Sequence, residues 1–182
     1  MTIFGAPIYV HSHVVIATAL IGVVALKNVL LAFCALVSYL AIIAFHEIGH
    51  AAVARYLGYE VNAVRIALIH GNCEYEHPGS LWDAALVSWG GVGAQLILVV
   101  IVFSIAGGVS GIADFYFGPV VIFLGYINLA IALMNLIPNA PFDGHLAWRI
   151  FPAAIARMRS RSTVRRLIKK AAKRRQPGSG PK

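Results

Sequence analysis

Residues Val29–Val53 read VLLAFCALVSYLAIIAFHEIGHAAV, and this stretch decides the fold. Its only ionisable residues other than Cys34 and Tyr39 are His46, Glu47 and His50. An apolar run of this length reads as a membrane-spanning helix. Placing ionisable groups at membrane depth costs several kcal/mol, roughly 2.5–3.5 per charged residue, so such groups are rare there and usually functional. On a helix, His46 and His50 are one turn apart on the same face, where both can bind one metal ion. Glu47 is placed beside them to take a proton from a metal-bound water. In a soluble helix the same five letters would more often be a solvated salt-bridge face. Inside this run that reading fails.

The rest of the chain fits a bilayer. Of 182 residues, 59% are apolar and 12% charged, against about 25% charged in soluble domains. Mean hydropathy is +0.78. The composition and length predict one all-α polytopic membrane bundle of about four spans, with a small cytoplasmic β-hairpin or sheet element and no room for a second globular domain. The expected spans are about 12–26, 29–57, 81–105 and 115–137, with Gly58 as the C-cap of the second. Residues 59–76 contain Glu60, Arg65 and Glu74 with partial alternation, and His70-Gly71-Asn72 reads as their turn, so this is the expected β element. Residues 3–11, IFGAPIYVH, read as a short strand or surface segment. No basic residue precedes the first apolar stretch and no small-residue cleavage site follows it, so no signal peptide is expected.

Charge predicts topology. Of the 15 Lys and Arg, 12 follow Asp143, and no acid follows it. Beside membrane spans such a tail marks the cytoplasmic face and an anionic lipid surface; nucleic acid is not expected as a partner. Both termini are then cytoplasmic, with the active site near that side, in what is expected to be a prokaryotic cell membrane. The division expected is a membrane-embedded domain over 1–151 and a basic tail over 152–182. Within the tail, apolar Val164, Leu167, Ile168, Ala171 and Ala172 face away from five cations over about 162–175, the pattern of a helix lying on a membrane. A merely solvated tail is the duller alternative.

A hydrolytic zinc site needs three protein ligands and one open position. Of the seven acids, only Asp143 follows a span that returns to the side of His46 and His50. It lies in NLIPNAPFDGH, where Pro138 and Pro141 forbid a continuous helix and can turn a carboxylate inward. His145, two residues on, is an equally competent ligand type and stays open as the alternative. No glutamate follows Glu76, which argues against proteases whose third ligand is a late glutamate. Cys34 and Cys73 have no paired-ligand spacing and read as ordinary thiols. His11 and His13 read as interfacial, and His70 and His77 as residues of the solvated element.

Two motifs together resemble the site-2 proteases, a family of intramembrane zinc metalloproteases. One is His46-Glu47-Ile48-Gly49-His50 on an apolar span. The other is Asn135-Leu136-Ile137-Pro138-Asn139-Ala140-Pro141-Phe142-Asp143-Gly144, similar to the family's N-x-x-P-x-x-P-x-D-G. Gly90-Gly91 in the intervening span is a weaker third match. The resemblance extends to about Phe151. It implies one Zn2+ per chain held by His46, His50 and Asp143, with Glu47 as catalytic base. It also implies substrate-backbone contacts at Asn135, Gly90 and Gly91, and a single-span membrane protein as substrate. Asn135 as a helix-end cap, and the glycines as helix-packing residues, are the bland alternatives. The chain departs from the family where His145 follows Gly144 and where Val92 and Gln95 replace the usual residues of the middle motif. The rival function is a non-catalytic metal-binding membrane protein of the same fold, acting as a partner or scaffold.

Overall fold

A computed structural model describes residues 2–10, 16, 29–66, 71–108 and 117–175. Three helices among these are long and apolar enough to cross a membrane. Helix α1 is Val29–Tyr56, α2 is Leu81–Ala106 and α3 is Phe117–Asn135. These match the expected second, third and fourth spans within a few residues. The first, about 12–26, lies outside the described residues. At 28 residues, α1 is roughly 42 Å long, more than a hydrocarbon core requires. Its Phe33, Val37 and Phe45, with Ile97 and Val100 of α2 and Leu133 of α3, stand exposed on the bundle surface. Apolar side chains facing outward in this number would be a liability in water and are the normal lining against lipid.

Helix α1 ends as expected. Gly58 takes φ 92°, its N–H donates to Arg55 O, and the Tyr59 N–H reaches back to Ala54 O. This left-handed cap satisfies carbonyls that the helix leaves open. Helix α2 starts at Ser80, whose Oγ accepts from the Asp83 N–H at 3.1 Å and donates to the Asp83 carboxylate at 2.8 Å. Helices α1 and α2 cross closely at Gly49 and Gly90. A side-chain carbon at Gly49 would overlap the Gly90 carbonyl, and one at Gly90 the Gly49 carbonyl. Small residues at the crossing let the two backbones approach. Helix α3 is π-wound over Val121–Ile127 and returns to α-helix from Asn128.

The β element has four strands in the order β1-β2-β3-β4. They are Thr2–Ile3, Ala6–Val10, Val61–Ile66 and Gly71–Tyr75. The expected hairpin is β3–β4. Gly71 and Asn72 belong to β4 itself rather than to its turn, and His70 lies outside the described residues. The amino-terminal segment is also part of this sheet. It folds back at Phe4 and Gly5, both with positive φ, and β2 then pairs in parallel with β3, Ile8 opposite Val64. A parallel partner so distant in sequence has no local turn to announce it. Ala6, Val61 and Val64 bury against Ala51 and Ala54, so the sheet is seated on α1 immediately after the motif. Tyr59 donates to Asp83 at 3.0 Å, which brings the sheet and the start of α2 to the same end of the bundle.

Beyond α3 the chain makes a run of turns, a short helix α4 at Gly144–Ala147, and α5 at Ile150–Arg175. The last helix begins well before residue 162. Its side chains from Phe151 to Lys170 are mostly exposed.

Candidate metal centre

The two histidines leave α1 on the face that meets α2, and Asp143 arrives from the turns after α3. Nε2 of His46 lies 3.1 Å from Nε2 of His50. Oδ2 of Asp143 is 3.0 Å from the first and 3.3 Å from the second. These three side chains form the group of possible ligands found among the described residues. Zinc bonds of about 2.0–2.1 Å place tetrahedral neighbours about 3.3–3.4 Å apart, so the triangle is close to the size a zinc ion needs.

Protonation supplies the stronger test of fit. The other ring nitrogens are already committed. Nδ1 of His50 lies 2.8 Å from the Val87 carbonyl, which can only accept, so that nitrogen carries the proton. Nδ1 of His46 lies 3.0 Å from Oε1 of Gln95. In the neutral imidazoles both Nε2 atoms therefore present lone pairs. Asp143 Oδ2 is buried and has no hydrogen-bond donor. A metal ion, or a proton on one imidazole, would hold these three atoms together, and the Nδ1 bonds to Val87 and Gln95 are those that metal-bound histidines make. The residues present fit a metal ion.

Glu47 is 3% exposed and lies on the same cavity, about 470 Å³ in volume. A side-chain carbon at Gly71 would overlap its carboxylate, so the start of β4 closes over it. Asn135 lines the cavity as well and donates to Gln95 Oε1 at 3.3 Å. Gly91 lies under both imidazoles, with no room for a side chain. Gly90 meets the Gly49 backbone at the crossing with α1, whereas Gly91 meets the imidazoles. His145 points away: it is exposed, with Nε2 3.4 Å from Arg149. Cys73 lines the cavity too. Burial, assisted by the carboxylates of Glu47 and Glu74, pushes its thiol up to about 12.

Asp143 is aimed by its surroundings. It occupies the N-cap position of α4 but makes no capping bond, leaving the carboxylate for the histidines. A side-chain carbon at Gly144 would overlap the backbone of Leu136 and Ile137. Two indoles hold the turns in place. Trp148 Nε1 donates to Leu136 O at 2.6 Å, and Trp89 Nε1 to Ala147 O at 3.0 Å. These tryptophans, together with Gln95 and Asn128, are the supporting residues that motif reading misses. The two amides had a signal: each is a polar group in an apolar run, where it must find partners or incur a large desolvation cost.

Fold and site together define a membrane-spanning protein with a buried carboxylate beside a His/His/Asp group able to hold a metal. A protein of Synechocystis sp. (strain ATCC 27184 / PCC 6803 / Kazusa), named "Putative zinc metalloprotease sll0528", is 33% identical over 126 residues, 64% of this chain and 31% of that protein. The chain thus spans about a third of the length of this curated relative. The solved structure of a site-2 protease from Methanocaldococcus jannaschii matches with a TM-score of 0.62 at 20% identity, over 85% of this chain and 70% of that one. No family model matches the chain. The chain has the site-2 protease fold, in agreement with its two motifs.

Proposed function

We propose that this protein is an intramembrane zinc metalloprotease that hydrolyses a peptide bond of a single-span membrane protein. The observation that carries the reading is the convergence of three possible ligand atoms, from His46, His50 and Asp143, on the cavity that holds the buried Glu47 carboxylate. His46, His50 and Asp143 would hold one Zn2+, and Glu47 would be the base. A zinc ion held by these residues would lower the pKa of a bound water towards ~7 and polarise a substrate carbonyl. Glu47 accepts the proton of the attacking water and delivers it to the leaving amine. The Asn135 amide is available to a substrate backbone group. Strand β4 is an edge of the sheet, and its Gly71, Cys73 and Tyr75 line the cavity. A transmembrane substrate hides its carbonyls in helical bonds, and pairing with such an edge would hold it extended. Arg55, Arg65 and the basic helix α5 favour a cytoplasmic location for the sheet end and the site.

The test is zinc analysis of purified protein together with cleavage of a model single-span substrate, for the wild type and Glu47→Gln. The variant keeps size and ligands. Zinc should be retained and cleavage should fall by at least the ~10²–10⁴ associated with acid–base catalysis. A folded Glu47→Gln protein that cleaves at the wild-type rate would sink the mechanism.

A further inference from the structure

His46 and His50 have their Nδ1 protons directed by different devices. His50 uses a main-chain carbonyl, that of Val87. His46 faces a side-chain amide, Gln95, whose two ends could in principle be exchanged. If they were, an N–H would meet Nδ1, the His46 proton would move to Nε2, and His46 could not bind a metal through Nε2. Something must orient the amide. Gln95 Nε2 donates to Asn128 Oδ1 at 3.2 Å, and Asn128 Nδ2 donates to the main-chain carbonyl of Gln95 at 3.1 Å. That carbonyl can only accept. It obliges Asn128 to present its NH₂ there and its Oδ1 to the Gln95 side chain. Gln95 must then turn its NH₂ to Asn128 and its Oε1 to His46. Both amides are almost fully buried, so water cannot substitute.

We infer that Asn128 and Gln95 are positioning residues that form a one-way relay, from a main-chain carbonyl to His46, and keep Nε2 of His46 in the ligating form. Gln95 Oε1 also accepts from Asn135, so the same atom ties the metal ligand to the residue proposed to contact substrate. The inference rests on the metal assignment proposed above. Its sharpest prediction concerns Asn128, which has no hydrogen bond to either histidine or to Asp143.

The experiment uses full-length protein with 15N-labelled histidine, and reads the ring-nitrogen shifts of His46 in metal-free protein and zinc affinity by chelator competition. The wild type should show the Nδ1–H tautomer. Asn128→Leu and Gln95→Leu should each mix the tautomers and weaken zinc by about 10–100-fold, the usual cost of removing such outer partners. Gln95→Glu keeps an acceptor for Nδ1 and should retain the Nδ1–H tautomer and bind zinc more tightly than Gln95→Leu, which distinguishes the relay from packing. An unchanged tautomer and affinity in Asn128→Leu would overturn the relay. If wild type shows the tautomer but binds no zinc, the metal assignment fails while the relay stands.

A separate cavity carries a second inference. At the start of α2 an open pocket of about 780 Å³ is lined by Trp82, Arg149, Pro152, Ala153, Ala156 and Arg157. The Arg157 guanidinium lies 5.3 Å from the centroid of the Trp82 ring. Among the described residues neither arginine has a carboxylate partner within ion-pair distance, and Asp83 on the rim is engaged by Ser80 and Tyr59. The pocket opens at the end of a membrane-spanning helix, where lipid headgroups lie. The structure assigns it to one anionic phospholipid, with its phosphate between Arg149 and Arg157 and its apolar part on the alanines and Pro152. This site is at the root of α5 and is distinct from its basic far end. The test is native mass spectrometry of protein released from phosphatidylcholine nanodiscs with or without phosphatidylglycerol. One retained phosphatidylglycerol is expected, lost in the Arg149→Gln/Arg157→Gln protein with zinc still bound. Equal retention of both lipids, an unchanged double variant, or displacement by millimolar inorganic phosphate would overturn it.

Discussion

Helix α1 contributes His46 and His50 through regular backbone, whereas residues 136–149 contribute Asp143 through turns, a four-residue helix and two indole clamps. In the helix, one period of the backbone brings both imidazoles to one face, and hydrogen bonds within the helix carry the geometry. In the turns no repeating ladder exists, so position depends on contacts with α2 and α3. A regular element can present ligands at fixed spacing. A broken one can aim a carboxylate across the bundle, at the cost of needing supports that regular backbone does not.

The comparison breaks most completely at the ligands. Asp143→Ala should take zinc content from one per chain to none and abolish cleavage, as His50→Ala should, measured by metal analysis and a cleavage assay. Full zinc content in Asp143→Ala would remove the turns from the site. The next effect is steric. Gly144→Ala pushes against the Leu136–Ile137 backbone and Gly91→Ala against both imidazoles. Overpacking of this kind costs about 1–3 kcal/mol. Zinc affinity by chelator competition should fall by at least ~10-fold in both. Gly144→Ala should in addition lower the unfolding temperature, because backbone rather than side-chain ends must shift.

A smaller effect tests the clamps. Trp148→Phe keeps a ring but removes the exposed indole bond to the Leu136 carbonyl, a loss of about 0.5–1.5 kcal/mol. Thermal unfolding should register this loss, with zinc bound more weakly than in the wild type. The matching change on the helix side, Phe45→Leu at an exposed position, should register neither. The smallest effect belongs to His145→Ala. This residue is exposed and its Nε2 lies 3.4 Å from Arg149 rather than at the histidine pair, so zinc content and cleavage should stay within about twofold of wild type, as for a surface change of ~0.5 kcal/mol. A metal-free His145→Ala protein would mean that the ligand set is three histidines.

Much of this site is legible in the letters. The helical period brings His46 and His50 together without any knowledge of tertiary structure, and the apolar run around them makes their presence informative. Asp143 could be narrowed by elimination but not separated from His145, because two residues on irregular backbone can point anywhere. Their separation depended on Gly144 packing against residues 136 and 137. The roles of Gly90 and Gly91 were open for a similar reason: the letters show small residues, and only the crossing with α1 shows what their smallness admits.

The sequence by itself determined the membrane class, three of the spans, the cap at Gly58, the β3–β4 element and the pair of histidines, since each follows from local period, local composition or a single backbone requirement. The tertiary structure alone decided the parallel pairing of β2 with β3, the closure of β4 over Glu47, the approach of Asp143 rather than His145 to the two histidines, and the hydrogen bonds that join Asn128, Gln95 and His46. These join residues tens of positions apart. Whether such groups meet depends on how helices cross and how turns are held, which no local pattern encodes.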